Sequence, residues 1–244
     1  MNRRQLLEST AAALATPALA QSVPWPTRGS IRLIAQFPPG GLVDTISRLM
    51  APALSQALGQ TVLVENRAGA GGVIGTDFVA KAPADGYTLL VSHASVQVFS
   101  TATMPVLPFD PITDFTHMVQ LVEAANVLLV KADSPYRTLE QYLTAARLPA
   151  FPNVPTFAEQ GFARLTSGQW LGLSGPKNLP APIVERLTAI VPDILKQTNL
   201  SARFEDLQTM PRNPPPTGNA FVSIIRQEIA EWTAVARQFN ILVS

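Results

Sequence analysis

The chain has 244 residues, of which 47% are hydrophobic and 14% charged, enough to bury a core in one or two domains. Eighteen basic residues against 17 acidic ones leave a net charge of +1, so there is no electrostatic footprint for nucleic acid and that partner class is set aside. Cysteine is absent and histidine occurs only at His93 and His117, which excludes disulfides, thiol nucleophiles, zinc–thiolate centres and multi-histidine sites; no metal and no cofactor are expected.

The N-terminus carries Arg3-Arg4, a weakly apolar run from Ala11 to Leu19, and the small-x-small triplet Ala18-Leu19-Ala20. In that order these are the three parts of an export signal, so residues 1–20 are expected to be removed after Ala20 and the chain to be periplasmic. The run is too short to span a bilayer, and the paired arginines fit a twin-arginine route.

Ile31 to Phe37 reads as a buried strand, broken by Pro38-Pro39-Gly40-Gly41. A helix is expected from near Asp44, with Ile46, Leu49, Met50, Ala53, Leu54 and Ala57 on one face. Pro52 should kink this helix or shift its start, and Gly59 should close it. Thr61 to Glu65 is a second strand, Ala68 to Gly72 a turn, and Val73 to Ala82 a short helix with Ile74, Phe78 and Val79 inward. Tyr87 to Ser92 is a third strand after the Asp85-Gly86 turn. This alternation implies a parallel sheet covered by helices. Beyond a loop from Pro105 to Thr116, strands are expected at Met118–Glu123 and Val127–Lys131, then a capped helix over Thr138–Arg147. Gln169 to Ser174 is a short strand, and amphipathic helices follow around Val184–Leu195 and Phe221–Val235.

Two glycine-rich turns carry candidate chemistry. Phe37-Pro38-Pro39-Gly40-Gly41-Leu42-Val43-Asp44 takes a strand into a helix start. Unpaired N–H groups and the helix dipole there make a seat for a carboxylate or phosphate without lysine or arginine. The alternative is a plain strand-to-helix turn with Asp44 as N-cap. The second turn, Glu65 to Gly75, lacks the third glycine of a dinucleotide fingerprint because position 74 is Ile; a second backbone-lined anion seat fits it better. No Gly-x-Ser-x-Gly elbow is present and neither histidine has a carboxylate partner by spacing, so a hydrolase is disfavoured and no catalytic residue is assigned. His93 is expected at a strand end near a cleft and His117 in a structural role; Trp232 is read as core, Trp170 as core or cleft edge.

The turns at 37–44 and 65–75, together with Ala82–Leu90, Leu107–Phe115, Asn153–Glu159 and Trp170–Pro176, stand in an order that resembles the Bug-type solute-binding receptors of tripartite tricarboxylate transporters. The resemblance implies a non-enzymatic extracytoplasmic receptor of α/β, periplasmic-binding-protein type II-like fold, which closes two lobes on a small carboxylate and hands it to the membrane subunits of a transporter. Carried over by position, it implies ligand contacts from Phe37, Pro39, Gly40, Gly41 and Asp44, completed by Asn66, Gly69, Ser92 and Ser95. The resemblance breaks after Arg147, which runs directly into a segment that the family places well downstream. The expected organisation is a complete first lobe with a mainly parallel sheet, 28–124 plus 166–244, and a remnant of the second lobe at 125–165. Ligand binding is then expected to be weak or lost. The alternatives are a one-lobed periplasmic binding or interaction module without a transport role and, less favoured, a periplasmic hydrolase.

Overall fold

The computed structural model describes residues 25–124, 132–135 and 169–241. The expected export signal, the strand at 127–131 and the helix at 138–147 lie outside these residues.

The first unit is β1 (Ile31–Ala35), α1 (Leu42–Leu58), β2 (Val62–Asn66), α2 (Val73–Ala80) and β3 (Thr88–His93), as the alternation predicts. In α1 the buried positions Val43, Ile46, Met50, Ala53, Leu54 and Leu58 recur at three- and four-residue steps, placing one apolar stripe against the sheet. Gly59 closes the helix in the left-handed region at φ 66°, its N–H donating to the Ser55 carbonyl at 3.0 Å. The helix starts two residues before Asp44, and Pro52 lies within one continuous element. In α2 the expectation for Ile74 is overturned: its side chain is 55% exposed, whereas Val73, Gly75, Thr76 and Val79 are buried. The short helix turns its other side to the sheet because Gly75 lies against the backbone of Gln36.

A π-helix (Ser95–Ser100) and a helical turn (Thr101–Thr103) follow β3. Then come β4 (Phe115–Ala124), β5 (Gln169–Pro176), α3 (Ala181–Leu195), α4 (Thr198–Asp206), β6 (Thr209–Met210) and α5 (Gly218–Gln238). The six strands form one sheet in the order β2-β1-β3-β5-β4-β6. Pairs β1–β2 and β1–β3 are parallel. Pairs β3–β5, β4–β5 and β4–β6 are antiparallel. The expected parallel sheet is therefore its first half, and a second half of antiparallel strands extends it. The sheet takes strands from both sides of residues 125–168.

Both faces are covered. Ile31, Leu33, Ala35, Leu89 and Val91 pack with α1, α3 and α4. On the other face Ile34 and Leu90 pack with Val73, Val79, Val96, Phe109 and Phe115. Trp170, Phe221 and Ile225 form a third cluster with Ala94 and Val98, with Trp232 packed at its margin and partly buried. Trp170 is 1% exposed, and its indole N–H donates to Glu228 at 2.7 Å.

A buried polar chain crosses the three central strands. Ser92 Oγ donates to the Gly172 carbonyl at 3.1 Å and lies 3.0 Å from Ser174 Oγ. His117 Nδ1 meets Ser174 Oγ at 2.9 Å, and Nε2 meets the Pro111 carbonyl at 2.8 Å. The carbonyl can only accept, so Nε2 carries the proton and Nδ1 accepts from the serine. Burial pushes the His117 imidazole down to about 4, against a smaller opposing pull from the Pro111 bond. His117 is thus a neutral structural residue, as expected.

Candidate functional site

The loops leaving the carboxyl ends of β1 and β3 meet at a cavity of about 500 Å³, lined by Phe37, Pro38, Pro39, Gly41, Leu42, Val43, His93 and Ser95. The sheet order explains the place. The connection from β1 runs outward to β2, and the chain then crosses back to β3 on the other side of β1. The two exit loops diverge and leave a crevice between them, which is where open α/β sheets bind ligands.

The β1 loop is shaped by Asp44, which is not the N-cap; Gly41 is. From the first turn of α1 the carboxylate reaches back and accepts the Gly40 N–H at 2.9 Å. It also accepts Arg48 Nε at 3.0 Å and Asn66 Nδ2 at 2.9 Å. The Asn66 amide donates further to the Phe37 carbonyl at 3.0 Å, joining the end of β2 to the end of β1. The Arg48 bond, with those from Gly40 and Asn66, holds the Asp44 carboxyl down at about 2 despite its burial. Gly40 itself stands at φ 87°, a left-handed backbone that glycine adopts without a Cβ penalty.

The β3 loop is shaped by His93. Ser95 N–H donates to His93 Nδ1 at 3.1 Å, and Ser95 Oγ lies 2.7 Å from the same nitrogen. A nitrogen that accepts a backbone N–H carries no proton, so the neutral ring is protonated at Nε2. Burial pushes the imidazole down to about 4, keeping it uncharged at neutral pH. The ring meets Phe37 edge-on with centroids 5.6 Å apart. Gln36 ties the strand ends together when its amide is oriented to donate to the Val91 carbonyl at 2.9 Å and accept the His93 N–H at 3.2 Å.

Of the residues expected at the site, Phe37, Pro39, Gly41 and Ser95 line the cavity. Gly40 is beside it in the loop, with its N–H already bonded to Asp44. Asp44 and Asn66 lie beneath the loop as braces, not on the lining. Ser92 is fully buried in the sheet. Gly69 is not among the residues lining this cavity, and the second glycine turn is closely packed on its Cβ side: a Cβ on Gly72 would stand 2.7 Å from Val96 and 3.1 Å from Phe37, and one on Gly69 would stand 2.5 Å from Ile74. These glycines allow close packing of the turn against the β1 exit and the π-helix. Pro38, Leu42, Val43 and His93 complete the lining; the first three are apolar and carry no polar side-chain group that would mark them in the sequence. His93 is at the strand end near the cleft, as its position implied. Among the described residues no group of three or more His, Asp or Glu is placed to hold a metal ion, and no helix is long and apolar enough to cross a membrane.

Residues 46–150 match the family described as tripartite tricarboxylate transporter family receptor. The chain is 40% identical over 163 residues to the UPF0065 protein in the tcbD-tcbE intergenic region of Pseudomonas sp. strain P51, covering 66% of this chain and 47% of that one. It is 38% identical over 162 residues to protein BugT of Bordetella pertussis, covering 65% and 49%. It therefore spans about half the length of these curated relatives. A relative from Agrobacterium vitis, 29% identical, aligns over 253 residues while using only 70% of this chain; the alignment is longer than the whole chain, so it contains a stretch of the relative without a counterpart here. Among solved structures, one described as a periplasmic transporter superposes with a TM-score of 0.76 at 25% identity, covering 91% of this chain and 100% of that one. Another, the periplasmic binding protein BugD, superposes with a TM-score of 0.72 at 21% identity, covering 88% and 99%.

Proposed function

We propose that this chain, which belongs to the Bug-type receptor family of tripartite tricarboxylate transporters, is an extracytoplasmic receptor whose first lobe holds a small carboxylate in the cavity between the β1 and β3 exit loops. The observation that carries this reading is the cavity itself. It lies at the diverging exits of β1 and β3, at the first turn of α1, where backbone N–H groups lack intrahelical partners. The family relationship supports a binding protein instead of an enzyme; Ser95 Oγ and His93 Nδ1 are 2.7 Å apart on the lining, but no carboxylate is among the lining residues to orient the ring as a catalytic triad requires. A solved structure of similar fold is described with adipate and another with bound malate; a small carboxylate, the broad class to which both belong, is proposed here.

The first lobe comprises 28–124 plus 166–244, with a reduced second lobe at 125–165. The gap in the Agrobacterium vitis alignment and a sheet built from both sides of residues 125–168 support this division. With its facing wall reduced, the receptor binds weakly and serves transport poorly. Export follows the signal at 1–20, by either the twin-arginine route that Arg3-Arg4 fits or the general secretory route, and the membrane subunits of a tripartite transporter are the proposed partner.

A thermal-shift series tests the binding reading. A ligand that binds only the folded chain raises the melting temperature. At twentyfold over the dissociation constant the gain is about 1.8 kcal/mol, a shift of several degrees for a chain of this size. A graded rise with a small carboxylate at tens of millimolar, absent with chloride at equal ionic strength, is the expected result. No shift with any mono-, di- or tricarboxylate would refute the reading.

A further inference from the structure

The lining is unusual for an anion site in what it lacks. Five of its side chains are apolar (Phe37, Pro38, Pro39, Leu42 and Val43), and only His93 and Ser95 carry polar side-chain atoms. The nearby guanidiniums are engaged elsewhere. Arg48 pairs with Asp44 at 3.0 Å and Arg67 pairs with Glu65 at 2.6 Å. The Arg67 guanidinium also lies 3.6 Å from the centre of the Phe78 ring. Asp44, paired with Arg48, leaves no net positive charge under the loop. A ligand with several carboxylates would meet no cation on the described lining, and the nearest guanidiniums are already neutralised by Asp44 and Glu65.

His93 supplies the complementary feature. Its Nδ1 is committed to Ser95, its ring is packed against Phe37, and Nε2 is the ring's remaining polar atom. We infer that His93 is the specificity-determining group of this cavity, offering its Nε2–H to a single carboxylate on an apolar body, so that the receptor takes an aromatic or alkyl monocarboxylate in preference to a di- or tricarboxylate. This rests on the proposed reading of the cavity as a carboxylate seat. Ser95 is a positioning residue: by donating to Nδ1 it fixes the tautomer that makes Nε2 a donor. The apolar wall from Phe37 to Val43 takes the body of the ligand. The neutral ring donates without the desolvation cost of a buried cation.

The test is an NMR titration of the ¹⁵N-labelled full chain with sodium benzoate and with sodium citrate at constant ionic strength. The chain has two histidines, so the His93 imidazole is assigned from its loss in His93→Gln. Benzoate is expected to saturate, to shift the His93 Nε2–H resonance, and to bind more tightly than citrate. His93→Ala should weaken benzoate binding at least about tenfold, the loss of one hydrogen bond to a charged acceptor. His93→Gln, which returns an N–H donor at similar reach, should recover most of it. Citrate binding as tightly as benzoate, or an unchanged affinity in a folded His93→Ala, would overturn the inference and leave the carboxylate receptor standing. Saturation by neither ligand would overturn both. If His93→Ala does not fold, the wild-type resonance decides: a His93 Nε2–H unmoved at saturating benzoate overturns the inference.

Discussion

Replacing Asp44 with alanine should unfasten the loop that forms one wall of the cavity. The carboxylate is buried and accepts from Gly40 N–H, Arg48 Nε and Asn66 Nδ2 at 2.9, 3.0 and 2.9 Å. Two of the partners lose little by its removal. The Arg48 side chain is 55% exposed and returns to water, and Asn66 keeps its bond to the Phe37 carbonyl. Discounting the exposed pair, about 2–3 kcal/mol should be lost, or roughly 4–12 °C in melting temperature for a chain of this size. Asp44→Asn keeps an acceptor for Gly40 but turns an amide toward Asn66 or Arg48, so its loss should be about half as large. The pH dependence supplies a second check. The Asp44 pKa falls from 3.8 to about 2 on folding, so its contribution is full above pH 4 and is lost as pH falls through 2. The gap between wild type and Asp44→Ala should therefore narrow across that window. Thermal melts at pH 7, 4 and 2.5 measure both effects. A variant within 1 °C of wild type at pH 7, or a gap that does not narrow in acid, would refute the clamp.

Gly41→Val should keep the fold but lose the ligand response, because Gly41 is at an ordinary φ of −77° and a Cβ there meets nothing closer than the Pro38 carbonyl at 3.6 Å. Gly40→Val should instead cost about 1–2 kcal/mol in urea unfolding, since its φ of 87° is left-handed; equal stability of the two variants would contradict this. Both histidines have a folded pKa of about 4 against an ordinary 6.5, so the unfolded chain binds more protons between those values. Stability should be highest above pH 6.5 and fall as pH drops to 4, by about 3 kcal/mol for His117 alone; a flat profile in urea unfolding would count against it. Residues 1–25 fused to a reporter active only outside the cytoplasm should give activity, and no activity would contradict export; changing Arg3 and Arg4 to lysine then separates the routes, loss of activity marking the twin-arginine route and unchanged export the general secretory one.

The parallel half of the fold is legible in the sequence because its signals are local. A run of apolar residues ends at Pro38-Pro39, apolar spacing marks α1, and Gly59 supplies a left-handed C-terminus. The antiparallel half is less legible because β4 and β5 pair across residues distant in sequence, and nothing local sets that register. The π-helix after β3 reads as a short apolar stretch, and α4 and β6 are too short for periodicity to mark. At the site, the loop after β1 is visible as a glycine-rich break. The roles of Asp44 and Asn66 are not, because both depend on hydrogen bonds between β2 and the β1 exit: Asn66 donates to a carbonyl 29 residues away. The glycines at 69–75 suit an anion seat or close packing equally well in sequence, and the close packing against Val96, Phe37 and Gln36 becomes visible only in the fold.

Isothermal titration calorimetry of the purified monomer with small carboxylates tests the central claim, a carboxylate seat in the first lobe with a reduced facing wall. A one-sided seat leaves the ligand largely in water, where each charge-assisted hydrogen bond nets about 1.5–3 kcal/mol before the cost of association. Two or three such bonds give a dissociation constant of about millimolar or weaker. A micromolar or tighter constant for any of these ligands would contradict the account and require a complete second wall.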